Sequence, residues 1–176
     1  MAHLDVEERY HGAMLVDRTG NTSLFDLESG ALLGSGSLAP RGEITRVVRQ
    51  GAGGHLHAAA DEAGQVLLFE QVFRPAQSGL LTAELRFPFG ETAIQLLPPG
   101  TPVRELALQR VNGTLLMAGH GDDGTLELLR LEIDAQGDSF VAIQRSELPR
   151  VCLLYTSPSP RDLGSNLVFR LLLEKK

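Results

Sequence analysis

Residues 16–27, VDRTGNTSLFDL, decide the fold, because the same phrase returns twice further along the chain. It recurs as ADEAGQVLLFEQ at 60–71 and as HGDDGTLELLRL at 120–131. Each copy is an acidic turn that ends in glycine and runs into an apolar strand, as in a β-hairpin. The turn glycines Gly20, Gly64 and Gly124 stand 44 and then 60 residues apart. A period of about 40–45 residues is typical of a propeller blade.

The sequence around the first copy has the same character. Residues 12–38, GAMLVDRTGNTSLFDLESGALLGSGSL, contain three short apolar runs separated by the turns RTGN and ESG, which predicts an antiparallel meander. We therefore predict an all-β fold, namely a partial β-propeller of about three WD40-like antiparallel blades within residues 1–151.

Two local irregularities are predicted as well. The longer second interval predicts an insertion at 74–100, which contains the alternating strand AELRFPFGE and ends in Pro-Pro-Gly. In the third copy, Leu126 and Leu128 are followed by Leu129, Leu131 and Ile133, so the apolar phase shifts by one residue. We expect a β-bulge at Leu128 and Leu129.

Composition excludes several classes of function. The formal net charge is −6, and it becomes more negative without residues 152–176, which carry four basic and two acidic residues. An acidic chain argues against nucleic acid and anionic membrane as partners. Residues 1–151 contain no cysteine, which excludes a thiolate nucleophile or a disulfide there, and no apolar run is long enough to span a membrane.

The candidate site residues are few. His55 and His57 alternate along a predicted strand and could ligate one metal ion, but no third ligand is evident, so an exposed strand face is favoured. His120 stands near Asp122 and Asp123, and its GDDG context favours turn chemistry over acid–base catalysis. No GxSxG, Walker A or GxGxxG motif occurs, and there is no tryptophan. We predict no enzymatic activity, no catalytic residue, no metal and no cofactor.

From residue 64 onward the order of features resembles one family. GQVLLFEQVF, LRFPFGETAIQLL and VRELALQRVNGTLLMAGHGDDGTLELLRLEI resemble the long-form phosphate-specific ABC transporter permease of gammaproteobacteria, most specifically at FPFGETAIQL, 87–96. The resemblance covers about residues 6–150 and concerns the extracytoplasmic β-propeller insert of that permease. It implies inorganic phosphate import at the periplasmic side of the inner membrane, with a periplasmic phosphate-binding protein, a partner permease and an ATPase as partners. The permease helices are not in this chain.

Residues 152–176 have a different character. They contain the only cysteine, Cys152, and the only lysines, Lys175 and Lys176, and the runs CLLYTSPSPRD and NLVFRLLLEKK resemble a translated sequencing adapter. We predict a domain at 1–151 and a non-native tail at 152–176 that is unstructured or packed by chance.

Two other functions remain open. One is a periplasmic propeller-type binding or assembly-scaffold module unrelated to transport, which would have the blades without the permease helices. The other is a propeller hydrolase, which would need carboxylates or a metal converging on the central channel.

Overall fold

The computed structural model describes residues 3–51, 54–75 and 81–148, which form three antiparallel sheets in succession. In each sheet four strands are hydrogen-bonded in chain order, so each is a meander of the kind that forms a propeller blade. The first blade contains β1 (His3–Glu7), β2 (Gly12–Val16), β3 (Asn21–Asp26) and β4 (Leu32–Ser37), with a single 3-10 turn at Glu8–Tyr10.

The second and third blades repeat this pattern. The second contains β5 (Ile44–Arg49), β6 (Leu56–Asp61), β7 (Gln65–Pro75) and β8 (Leu81–Arg86), and the short β9 (Ile94–Gln95) pairs with the start of β7. The third contains β10 (Val103–Val111), β11 (Thr114–Gly121), β12 (Leu126–Ile133) and β13 (Phe140–Leu148). The predicted all-β fold of about three antiparallel blades is confirmed.

The recurring phrase occupies the same place in every blade. It forms the turn between the second and third strands, and Gly20, Gly64 and Gly124 all have positive φ, at 84°, 77° and 81°. In the first two turns the opening aspartate accepts hydrogen bonds from backbone N–H groups two and four residues on, as Asp17 does from Thr19 and Asn21 (both 2.9 Å). Asp61 does the same for Ala63 and Gln65 in the second blade.

Another carboxylate closes the last hairpin. Asp134 accepts from the backbone N–H of Gly137 at 2.7 Å and from the hydroxyl of Ser139 at 2.8 Å. The pKa of Asp134 is lowered to about 2, mainly by the hydrogen bond from Ser139. Desolvation opposes this shift in part, and hydrogen bonds from three backbone N–H groups add to it. These turns are therefore fixed by contacts within a few residues.

The predicted insertion needs correction. Residues 81–86 of that segment are the fourth strand of the second blade, and the turn 87–90 ends the predicted long strand. The extra length lies instead at 87–102, between β8 and β10, where Leu96 and Leu97 are buried in the core and donate backbone N–H bonds to the carbonyl of Gly64.

The predicted bulge at Leu128 and Leu129 is wrong. β12 pairs with β11 without a break from Glu132 to Leu126, and the irregularity in β12 lies between Glu132 and Ile133, opposite β13. The apolar phase shifts because both faces of this strand carry leucines: Leu129 and Leu131 are buried in the core, whereas Leu126 and Leu128 are half-buried on the other face.

The core consists of two apolar layers, one at each joint between blades. Strand β7 serves both: Leu67, Phe69 and Phe73 pack against the first blade, whereas Val66 and Leu68 pack against the third. Burial on both faces explains why VLLF is a continuous apolar run instead of an alternating one. On the first blade, the face that points away from the second carries four exposed apolar residues, Leu4, Val6, Leu15 and Leu32.

The predicted tail at 152–176 lies outside the described residues. Within the described ranges, no helix has the length and apolar character needed to cross a membrane.

Candidate functional site

A cleft of about 580 Å³ lies at the end of the molecule where β1, β5 and β10 begin. These three strands are the first strands of their blades. We call this feature the channel cleft. It is lined by His3, Val16, Arg18, Glu43, Ile44, Thr45, Arg46, Val47, Glu62, Pro102, Val103, Arg104, Glu105 and Asp122. Its volume falls within the range of ligand sites, about 300–1,000 Å³.

The recurring turns supply one lining residue from each blade. Arg18, Glu62 and Asp122 occupy the same position in the three copies of the phrase, two residues before the turn glycine. The phrase that builds the blades therefore also brings three charged side chains to one cleft.

Two β-bulges lie at the cleft. The pairing of β5 with β6 shifts between Ile44 and Arg46, and that of β10 with β11 shifts between Val103 and Glu105, so Thr45 and Arg104 are the extra residues. A bulge redirects the side chains around it, and bulges are common next to functional sites. Both extra residues line the cleft.

Ion pairs cross the cleft between blades. Arg46 on β5 donates from one guanidinium nitrogen to both carboxylate oxygens of Glu105 on β10, each at 2.8 Å. Arg18 pairs with Glu43 at 3.2 Å, joining the first and second blades. Arg104 pairs with Asp122 within the third blade. The cleft wall therefore presents charges of both signs.

His3 reaches the cleft from the first blade. The pKa of His3 is lowered below its ordinary value, mainly by burial. The charges of His57 and Arg46 lower it further, whereas the charge of Asp5 acts in the opposite direction. The Nε2 atom of His3 is buried and has no hydrogen-bond partner among the described residues. His3 therefore lines this edge of the cleft with one buried nitrogen that no described residue satisfies.

A second polar group lies deeper in the joint between the first and second blades. Asp5 Oδ2 on β1 accepts from His57 Nε2 on β6 at 3.1 Å, from Gln71 Nε2 on β7, and from Arg49 on β5 at 3.5 Å. Arg49 also donates to Glu7 Oε2 at 2.9 Å. We call these five residues the joint cluster; one carboxylate oxygen in it ties three strands of the second blade to the first.

The exposed strand face predicted for His55 and His57 is wrong for His57, which the joint cluster buries. His57 is fully buried, stacks on Phe69 at 5.3 Å and bonds Asp5, while His55 is exposed with Nδ1 3.9 Å from Glu7 Oε2. Both point toward carboxylates of β1. Across the ranges 3–51, 54–75 and 81–148, no three His, Cys, Asp or Glu side chains form a group suited to a metal ion.

The third candidate histidine, His120, lies in β11 just before the turn between the second and third strands of the last blade. Asp123 Oδ1 accepts from the Thr125 N–H at 2.9 Å, and Asp122 pairs with Arg104. The GDDG segment is thus a turn, as its composition predicts, and His120 is half-buried in β11. Sequence analysis missed the role of Asp122 in the cleft wall, together with Arg46 and Arg104.

Comparison with known proteins gives the fold and no family. No protein-family model and no curated protein sequence match the chain. Among solved structures, the β-propeller domain of Cps50 (Swd1) from Myceliophteria thermophila matches 98% of this chain and 42% of its own, at 14% identity and a TM-score of 0.51. Hsv2 from Kluyvelomyces marxianus matches 83% of this chain and 48% of its own, at 14% identity and a TM-score of 0.47.

The chain thus spans less than half the length of either structure. Three successive four-stranded meanders, packed face to face, together with the similarity to the Cps50 domain, make this a propeller-type domain.

Proposed function

We propose that this chain is a propeller-type binding or assembly-scaffold module that holds a segment of a partner protein in the channel cleft. The observation that carries the proposal is the cleft itself, which is formed by all three blades and lined by charged side chains of both signs. Its two bulged strands place Thr45 and Arg104 at the wall. We propose that the module acts by binding alone, without catalysis and without a metal.

Filling the cleft is expected to abolish partner binding. Thr45 is an exposed strand residue whose hydroxyl donates to the carbonyl of Ala60 at 3.3 Å, so Thr45→Trp adds bulk to the cleft without disturbing the core. Peptides selected from a random display library on the unmodified chain should bind Thr45→Trp at least about tenfold more weakly, because the indole occupies their site. Fluorescence anisotropy with labelled peptides measures the difference.

The chain offers a closely matched control. Thr82 on β8 is also exposed, and its hydroxyl also donates to a backbone carbonyl, that of Arg74, at 3.1 Å, but it lies outside the cleft. Thr82→Trp should therefore bind the same peptides as the unmodified chain. Peptides that bind both tryptophan variants equally well would place the binding surface elsewhere and refute the proposal.

A second candidate function is the one that the sequence resemblance implies, phosphate import as part of a permease at the bacterial inner membrane. FPFGETAIQL, its most specific segment, forms the first part of the loop after β8, where Phe89 stacks on Phe140 at 4.4 Å and Leu96 is buried. These contacts give the segment a packing role that is compatible with either function.

The two candidates differ in what the gene encodes beyond this chain. If the parent is a permease, sequencing the gene past the codon for residue 151 should reveal several apolar segments of about 20 residues each. A reading frame that encodes soluble sequence alone would rule out the permease and leave the binding module.

A further inference from the structure

We propose that the channel cleft binds an extended peptide in which a basic residue stands next to an acidic one. This peptide displaces two neighbouring side chains of the chain itself, Arg104 and Glu105, from their partners Asp122 and Arg46. The inference rests on the proposed binding function and names the class of partner. It follows from the unequal exposure of the two partners in each ion pair at the cleft.

In the first pair the cation is the inner partner. The side chain of Arg46 is 40% exposed, whereas that of its partner Glu105 is 66% exposed. Arg46 is thus the more enclosed of the two, and Glu105 is the more accessible to solvent. A carboxylate from another chain could replace Glu105 and keep the two-oxygen contact that a guanidinium makes with a carboxylate.

In the second pair the anion is the inner partner. Asp122 is 39% exposed and Arg104 is 69% exposed, so here the carboxylate is the more enclosed and the guanidinium is the outer partner. A lysine or arginine from another chain could replace Arg104. The two pairs therefore offer one inner positive and one inner negative charge to a ligand.

The two outer partners, Arg104 and Glu105, are neighbouring residues at the start of β10. In a regular strand neighbouring side chains point to opposite faces, so Arg104 and Glu105 would not normally reach the same cleft. The bulge between Val103 and Glu105 changes this locally, and both residues line the cleft. A ligand that replaces them needs the same chemistry, a cation and a carboxylate on neighbouring residues.

Displacement costs little, because exposed ion pairs contribute little to stability. Removing an internal competitor should therefore strengthen ligand binding. This outcome is opposite to the one expected if Arg104 and Glu105 contacted the ligand themselves, in which case their removal would weaken binding.

The probe is a fluorescein-labelled peptide of sequence VRELAL, copied from residues 103–108, and its control has glutamine in place of both charged residues. We expect Glu105→Ala and Arg104→Ala each to tighten binding of VRELAL about threefold, as fits the loss of an exposed competing pair. Arg46→Glu should weaken it more than tenfold, because the inner cation becomes a repelling carboxylate.

An exposed ion pair outside the cleft provides the control. Arg74 and Glu84 pair at 2.9 Å and are 61% and 56% exposed, so Glu84→Ala removes a similar pair and should leave binding unchanged. Weaker or unaltered binding of VRELAL to Glu105→Ala would overturn the inference, and so would equal binding of the glutamine control or no binding of VRELAL to any variant.

These failures are distinct from failure of the proposed function. If library peptides bind the chain and are blocked by Thr45→Trp, the cleft is a binding site whatever VRELAL does. If they bind Thr45→Trp unchanged, the cleft is not the site, and both proposals fall together.

Discussion

Asp5→Ala is expected to lower the free energy of unfolding by about 3 kcal/mol, one of the two largest effects that we expect from a single substitution in this chain. The side chain of Asp5 is only 16% exposed, and its Oδ2 accepts from His57, Gln71 and Arg49. Alanine would leave His57 Nε2 and Gln71 Nε2 without their acceptor, although Arg49 keeps Glu7, and breaking a buried charged pair costs about 3–5 kcal/mol. Urea denaturation measures the loss.

An exposed histidine–carboxylate pair serves as the control. His11 Nδ1 lies 2.6 Å from Glu28 Oε1, but both side chains are well exposed. Glu28→Ala should change stability by less than about 0.5 kcal/mol, since water replaces the lost contact. Equal losses for Asp5→Ala and Glu28→Ala would mean that the joint cluster contributes no more than a surface pair.

Acid should remove the same stabilisation. Burial raises the pKa of Asp5, but the hydrogen bond and charge of His57, with the charges of Arg49 and His3, outweigh it and hold this pKa below its ordinary value of 3.8. A carboxyl whose pKa is lower in the folded state stabilises the fold above pH 3.8 and loses this effect as the pH falls through the lowered value. The stability difference between the unmodified chain and Asp5→Asn should therefore shrink below about pH 4.

Gly64→Ala is expected to cost a similar amount, about 3 kcal/mol. Gly64 has φ +77°, where an L-residue loses about 1–2 kcal/mol. A Cβ there would also lie 2.9 Å from the carbonyl oxygen of Thr101 and 3.0 Å from those of Leu97 and Pro98. These atoms belong to the backbone of the 87–102 loop, so relief requires the loop to move away from the core, and such overpacking adds about 1–3 kcal/mol.

The same turn in the third blade separates the two contributions. Gly124 has φ +81°, but nothing lies within 4 Å of a Cβ built on it. Gly124→Ala should therefore cost only the conformational part, about 1 kcal/mol. If thermal or urea unfolding gives the two variants the same stability, then the loop does not press on Gly64 as the geometry indicates.

The blades could be predicted from the sequence because their signal is local. An acidic turn with glycine at the positive-φ position, followed by apolar residues, specifies a hairpin wherever it occurs, and Gly20, Gly64 and Gly124 all behave alike. The bulges could not be placed in this way. The leucines of β12 look like a shift of phase along one strand, but they reflect packing on both of its faces, which depends on neighbouring blades.

The channel cleft could not be predicted for a related reason. Arg18, Glu62 and Asp122 share a position in the phrase but differ in charge, and as isolated turn residues they are typical of a solvated surface. Only the stacking of the blades brings them to one cleft. Likewise, Asp5 is an ordinary strand aspartate until the second blade surrounds it with donors.

The sequence separation of the carboxylate contacts predicts the order in which the molecule assembles. Within their own turns, Asp17, Asp61 and Asp134 bond to groups two to five residues away, so each hairpin can close by itself, on the microsecond timescale of hairpin formation. The joint cluster links Asp5 to Gln71 across 66 residues, and contacts of such separation form late because the chain must first close a long loop. We therefore expect the blades to fold as units before they dock, and we expect Asp5→Ala to speed unfolding more than it slows folding.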